Sequence, residues 1–567
     1  MLRIVSEANG EGKGSLVSRA SQASALRKRI SGYQPGLFPD TSGTARKIFT
    51  RLTLPWVPGK KMPQVFQVKP NFYAEWRVRS GIVPVLHEDC ESPPEELLQA
   101  VWQHQRLIRD RLKMIDGRPA RILHPGFRSV EGGPDFRGAM VQFGDEAPRT
   151  GDIEVDLRAS GWRAHGHDRN PAFQNVILHV IWEGDRPAVG GPPVLALIGT
   201  LDSKLGELSL WLGSEAAEGL PERLRGRCCA PLRGLAAAQS TDLLHQAAHV
   251  RLQSKASQFQ ARARQAGWEQ ALWEGLFRAL GYKNNVWPMQ RLAELRPRWA
   301  AGGAEVESGA PVRGTRSKTR RESSTGKQAD VLALQARLLG ISGLLPVELT
   351  RSQAGSDDYL RQVWDWWWRE REAFADCSLP HELWRLHGLR PANHPQRRLA
   401  LASHWSAAGD LPQKLEQWCA SQGAPGALAN SLLEALQVAG DEFWSWHCTF
   451  RSARFKKAQP LLGAGRVTDL AVNVVLPWLW VRAVEGKNGA MQKAIEKRYF
   501  EWPAAEDNAV LRLARQRLLG GASAKVLPDA AAQQGLMQIV RDFCEHSNAL
   551  CDECKLPRMV QEIVGGG

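Results

Sequence analysis

A chain of 567 residues is long enough for roughly three to four domains, so a substantial buried core is assured. Its 74 Lys and Arg outweigh 59 Asp and Glu, a formal charge of +15 that favours polyanionic partners without identifying one. No run of about 18 apolar residues occurs and the first residues lack a secretory-signal pattern, so the reading is a cytoplasmic protein without a membrane segment. Nine cysteines in such a chain read as thiols or metal ligands rather than as a disulfide framework.

Residues 1–70 mix Gly, Ser, Lys, Arg and Pro without sustained periodicity and are expected to be a disordered basic extension. Residues 71–235 carry an α/β pattern. Pro93-Pro94-Glu95-Glu96 opens a helix running to Trp102, since proline suits a first turn and acids follow it there. Gly132-Gly133-Pro134-Asp135 reads as a turn. A strand over Arg137 to Phe143, a hairpin partner over Gly151 to Arg158, and strands within NVILHVIW (175–182) and from Val194 to Thr200 complete a sheet.

Residues 236–567 are expected to be mainly helical, with amphipathic runs such as LLHQAAHVRLQSKASQFQARARQ and LWEGLFRALGY. Within them, residues from about 300 to 328 are rich in Gly, Ser and basic side chains and are expected to be a disordered loop. The run Trp364-Asp365-Trp366-Trp367-Trp368, from a chain with 22 tryptophans, reads as helix-packing mass before it reads as a base-stacking platform. The basic run Arg313 to Arg321 can screen phosphate or be a solvated loop, and RPANHPQRR (390–398) fits either a basic groove or a proline turn before a helix. A P-loop, a Rossmann glycine pattern and a Gly-x-Ser-x-Gly elbow are all lacking, so nucleotide hydrolysis, dinucleotide redox and α/β-hydrolase chemistry lose support.

The chemistry concentrates on GDIEVDLR (151–158). Its period-two alternation puts Asp152, Glu154, Asp156 and Arg158 on one strand face and Ile153, Val155 and Leu157 on the other. An ordinary solvent-facing strand gives the same alternation. Asp135, however, lies at the turn before the neighbouring strand, and a hairpin brings it beside Glu154. Paired carboxylates of this kind suit Mg²⁺ or Mn²⁺.

The following His165-Gly166-His167-Asp168 offers imidazoles able to orient phosphate, join a metal site or exchange protons, or simply to hold a turn. His179 reads first as a core histidine. Near the end, Cys544, Cys551 and Cys554 form C-x6-C-x2-C, a spacing that suits Zn²⁺, with His546 or a distant Cys as fourth ligand, or an iron–sulfur cluster.

The order Glu95 on a helix, Pro134-Asp135 at a hairpin, Glu154-Val155-Asp156 on a strand and then another strand resembles the PD-(D/E)XK nuclease superfamily. That resemblance implies a restriction-endonuclease-like mixed sheet with flanking helices, and Glu95, Asp135 and Glu154 as ligands of Mg²⁺ or Mn²⁺. Asp156 stands where the motif has Lys. Arg158 is the candidate for the missing positive charge, although an arginine is a poor base. A second resemblance covers most of the chain: HPGFRSVEGGPDF, GDIEVDLRASGWRAHGHDRNPAFQNVILHVIWEGD, LGYKNN, LLGISGLLP, RPANHPQRRLALAS, LPWLW, AEDN and QGLMQIVRDFCEHSNALCDEC are similar to the bacterial family DUF2851, whose activity is unknown.

The expectation is therefore an α/β nuclease-like domain followed by a large helical one. Glu95, Asp135 and Glu154 would hold the ion, with Asp156, Arg158, His165 or His167 positioning water and phosphate for hydrolysis of DNA or RNA. The alternatives are an inactive nucleic-acid-binding or interaction protein on the same core, and an acid–base enzyme for a small substrate around His165 and His167.

Overall fold

The computed structural model describes residues 71–82, 93–129, 133–184, 190–212, 230–282, 284–301, 324–349, 358–421, 427–522, 526–545 and 554–565. The basic extension, Arg313 to Arg321, His546 and Cys551 lie outside them.

Two helices precede the sheet, α1 (Phe72–Arg79) and α2 (Glu95–His104). Helix α2 starts behind Pro93-Pro94 with Glu95 and Glu96 in its first turn, where acids complement the helix dipole. It stops at Gln105, whose left-handed backbone (φ 50°) lets its N–H reach back to the last carbonyls. Its Leu98, Val101 and Trp102 are buried against Ile122, Phe136, Val141, Ile153, Val155, Leu178 and Val180, which form the apolar face of the sheet.

The sheet comprises β1 (Ala120–His124), β2 (Phe127–Arg128), β3 (Phe136–Phe143), β4 (Arg149–Asp156), β5 (Val176–Ile181) and β6 (Val194–Ala196). Among the described residues its order is β1-β3-β4-β5-β6, with β2 paired to β3. Strands β3 and β4 make the expected antiparallel hairpin, with Phe136 opposite Ile153. Strands β4 and β5 run parallel, with Glu154 opposite His179. A parallel pair cannot be joined by a tight turn, so the chain between them must cross one face of the sheet. That crossover, residues 157–175, contains the single turn α3 (Gly161–Ala164).

The rest is helical: α4 (Ala237–Ala266), α5 (Trp268–Leu280), α6 (Val286–Glu294), α7 (Ser324–Ile341), α8 (Asp358–Glu370), α9 (Pro395–Ala408), α10 (Leu476–Glu485) and α11 (Ala530–Val540) are its principal elements. Helix α7 begins within the stretch read as a loop to residue 328, so the last residues of that stretch are helical. Helix α4 packs along α10 and α11. Helix α1 precedes the sheet in the chain but packs on α4, and Tyr73 Oη and Arg77 hold the buried Asp542 at 2.6 and 2.8 Å. Arg109 joins sheet and helices, pairing with Glu294 at 3.1 Å and donating to the Ile122 carbonyl at 2.7 Å.

Two sequence features find their place in this body. A Cβ on Gly340 of α7 would come within 2.0 Å of the Trp367 indole of α8, so the tryptophan run seats one helix on the other. In RPANHPQRR, Arg397 donates to the carbonyls of Trp444, Gln459 and Pro460, and Arg398 to that of Leu461. Both arginines are buried, so this run is an internal clamp rather than a groove wall. Among the described residues one helical run, Ala464–Glu485, is long and apolar enough to cross a membrane, and 78% of its apolar window is buried inside the protein, as in a core helix.

Candidate functional site

Strand β4 does not present its acids to solvent. Glu154 is 7% and Asp156 2% exposed, because the β4–β5 crossover lies over them and seals that face with Trp162 and Phe173, both buried. The solvent-facing reading of the alternation is thereby overturned. Asp152, the remaining acid, is turned to the hairpin, where it accepts from Gly138 N at 3.0 Å.

Asp135 and Glu154 lock each other across the hairpin. The Asp135 carboxylate accepts from Val155 N at 3.0 Å, just beyond the Phe136–Ile153 pair of the ladder, while Asp135 N donates to Glu154 Oε2 at 3.1 Å. Gln99, one turn beyond Glu95 on α2, donates to Glu95 Oε1 at 3.3 Å and to Asp135 Oδ1 at 2.9 Å, and its own oxygen accepts from Arg128 at 3.0 Å. Gln99 was not singled out in the sequence. Its spacing of four from Glu95 on one helix face was the available signal.

Crowding of acids in an enclosed space penalises their charged forms. Burial, reinforced by the Asp135 charge, pushes Glu154 up to about 9. Burial pushes Asp135 up to about 6 against the opposing pull of the Val155 N–H. Glu95 is raised by burial and by Asp156.

Asp156 belongs to a second, adjoining group. His179 Nε2 lies 2.8 Å from Asp156 Oδ2, an N–H donated to the carboxylate between neighbouring parallel strands. His165 Nδ1 lies 3.2 Å from Asp156 Oδ1. The His167 ring stacks on Phe173 at 4.0 Å with Trp162 edge-on at 5.4 Å, and its Nδ1 is 3.5 Å from Glu154 Oε1. Burial lowers the His167 pKa. A Cβ on Gly161 would stand 2.7 Å from the Asp156 carboxylate, so only glycine leaves room there.

Placement of the sequence-derived residues is uneven. Glu95, Asp135, Glu154, Asp156, His165 and His167 converge. Among the described residues, however, the His, Cys, Asp or Glu trio whose ligand atoms all lie within 4.8 Å of one another is Asp156, His165 and His167, not Glu95, Asp135 and Glu154. Arg158, expected on the β4 face, falls beyond the last residue of that strand, its side chain is 68% exposed, and it pairs with Glu183 at 3.2 Å. At the C-terminal cluster Cys544 and Cys554 are half-buried, and Cys551 lies outside the described residues. Beside β2, a cavity of about 550 Å³ is lined by Phe127, Asn284, Glu382, Trp384, Arg385 and His387.

The fold and site together define an α/β sheet domain with an enclosed carboxylate–imidazole cluster, carried with a large helical body. The chain belongs to DUF2851, a family described as a protein of unknown function, which matches residues 95–299 and 319–508. No curated protein and no solved structure matches it.

Proposed function

We propose that the protein is a metal-dependent nuclease that hydrolyses phosphodiester bonds in DNA or RNA on a PD-(D/E)XK-like core. The observation that carries the reading is the mutual lock of Asp135 and Glu154 at the mouth of the β3–β4 hairpin, with Glu95 tied to Asp135 through Gln99. Helix, hairpin, crossover and parallel strand also occur in the order that superfamily uses.

The carboxylate oxygens are donors of the kind a hard divalent cation takes. Burial first and neighbouring carboxylate charge second push these carboxyl groups to about 6 and about 9, a penalty on the charged forms that a cation would relieve. Glu95, Asp135 and Glu154 would hold Mg²⁺ or Mn²⁺, which supplies Lewis-acid stabilisation of the phosphate charge and activation of water. Gln99 and Arg128 fix the Asp135 end of the site. His165, half exposed beside Asp156, is placed to pass a proton between solvent and the cluster. The cavity along β2, with Phe127, Trp384, Arg385 and His387, offers aromatic and basic surface for a nucleic-acid strand, and the net charge of +15 favours the same partner.

The test is cleavage of single- and double-stranded DNA and RNA with Mg²⁺ or Mn²⁺, comparing the unchanged protein with Asp135→Ala and Glu154→Ala. Metal-dependent cutting lost in both folded variants is the expected result. A second reading, a binding protein on an inactive core, is favoured by one observation: Asp156 replaces the motif Lys while Arg158 pairs with Glu183. Salt-sensitive binding without cutting in all three proteins would select it.

A further inference from the structure

We propose that Asp156, His165 and His167 form a divalent-metal site of their own beside the Asp135–Glu154 pair, and that it takes an imidazole-accepting ion, Zn²⁺ or Mn²⁺, in preference to Mg²⁺. Its place in catalysis rests on the nuclease reading; its existence as a site does not.

Three features point to an ion rather than to a hydrogen-bonded cluster. First, the three ligand atoms lie within 4.8 Å of one another and the Asp156–His165 pair at 3.2 Å. A cation with bonds of about 2.1 Å sets neighbouring donors ~3 to 3.4 Å apart, so small side-chain rotations close the set. Second, His167 Nδ1 is buried without a hydrogen-bond partner, on a side chain only 10% exposed, and its nearest acidic atom is Glu154 Oε1 at 3.5 Å. A buried ring nitrogen without a hydrogen-bond partner, 3.5 Å from a carboxyl oxygen, is a donor that a metal ion would satisfy.

Third, the groups around the trio hold its ligands in place. Phe173 and Trp162 fix the His167 ring, and His179 holds Asp156, as the second layer of a metal site does. His179 is thus a positioning residue. The chemical class of the ion follows from the donors: imidazole nitrogen suits Zn²⁺ and tolerates Mn²⁺, whereas Mg²⁺ demands oxygen and keeps its water. Glu154, between the two groups, is the carboxylate that would face both ions if both sites fill.

The experiment is calorimetric titration of the full chain with ZnCl₂, MnCl₂ and MgCl₂, in a Cys544→Ser, Cys551→Ser, Cys554→Ser background so that thiolates do not compete. The expected result is one Zn²⁺ equivalent bound at least ~10-fold more tightly than Mg²⁺, weakened at least ~10-fold by His165→Ala and by His167→Ala. His165 is half exposed, so its variant keeps the test valid if His167→Ala fails to fold. Cobalt substitution gives a second readout, since loss of an imidazole ligand shifts the visible absorption of bound Co²⁺. Zn²⁺ affinity equal in the unchanged and His165→Ala proteins, or Mg²⁺ bound as tightly as Zn²⁺, overturns the site. Binding as expected with no cleavage of any nucleic acid overturns the nuclease reading alone.

Discussion

Replacing Glu154 by Gln removes a carboxyl that the fold holds in its protonated form across the neutral range, and its effect on stability depends on pH in a calculable way. A carboxyl whose folded-state pKa is raised favours folding below its unfolded pKa and loses that advantage as pH climbs through the folded value. With Glu154 at about 9 in the folded protein against 4.5 unfolded, the folded state carries one proton more than the unfolded chain throughout the neutral range. Each pH unit then costs about 1.4 kcal/mol, so metal-free protein loses roughly 2 to 3 kcal/mol between pH 6 and pH 8 from this group. Asp135, at about 6, has surrendered most of its share below that window.

Gln keeps the shape and the acceptor for Asp135 N but does not titrate. For a chain of this length, ~1 kcal/mol corresponds to about 1 °C in Tm. Thermal unfolding in a chelator should therefore show the unchanged protein falling ~2 to 3 °C further than Glu154→Gln from pH 6 to pH 8. Saturating metal should shrink that difference. Parallel Tm curves for the two proteins across the window would refute the electrostatic account of the cluster.

Two further substitutions separate site from scaffold. Gly161→Ala drives a methyl group against the Asp156 carboxylate and should cost ~1 to 3 kcal/mol while weakening Zn²⁺ binding, read by denaturant melts and titration. Arg397→Ala strips three loop carbonyls of their donor and should cost ~3 kcal/mol or more with Zn²⁺ affinity unchanged in the protein that remains folded.

The hairpin, the turn at Pro134-Asp135 and the parallel strand in NVILHVIW were legible because each depends on local signals: turn residues, period two, short apolar runs. The face of β4 that becomes buried was not. Alternation shows that Glu154 and Asp156 share a face but not what lies over it, and the cover is a crossover whose position is set by β4–β5 pairing. His179 is the core histidine expected, and the same non-local step supplies Asp156 as its partner. Arg158 lies off the strand face because the strand ends two positions earlier, and strand ends carry little sequence signal. Composition left RPANHPQRR open between a basic groove and a proline turn before a helix, and the second holds: Pro395 opens a helix whose Arg397 and Arg398 donate to carbonyls inside the helical body.

The crossover between β4 and β5 has a consequence for how the cluster comes into being. Carboxylates on β4, histidines in the connection and His179 on β5 occupy one continuous stretch, yet they meet only when β5 docks beside β4. Before that docking, β3 and β4 can pair through their own turn and bring Asp135 to Glu154, leaving the imidazoles unplaced. The carboxyl pair thus needs only the β3–β4 hairpin, whereas the imidazoles need the β4–β5 pairing as well. A backbone cut within 157–175 would leave every side chain present while removing the tether that delivers His165 and His167 to Asp156.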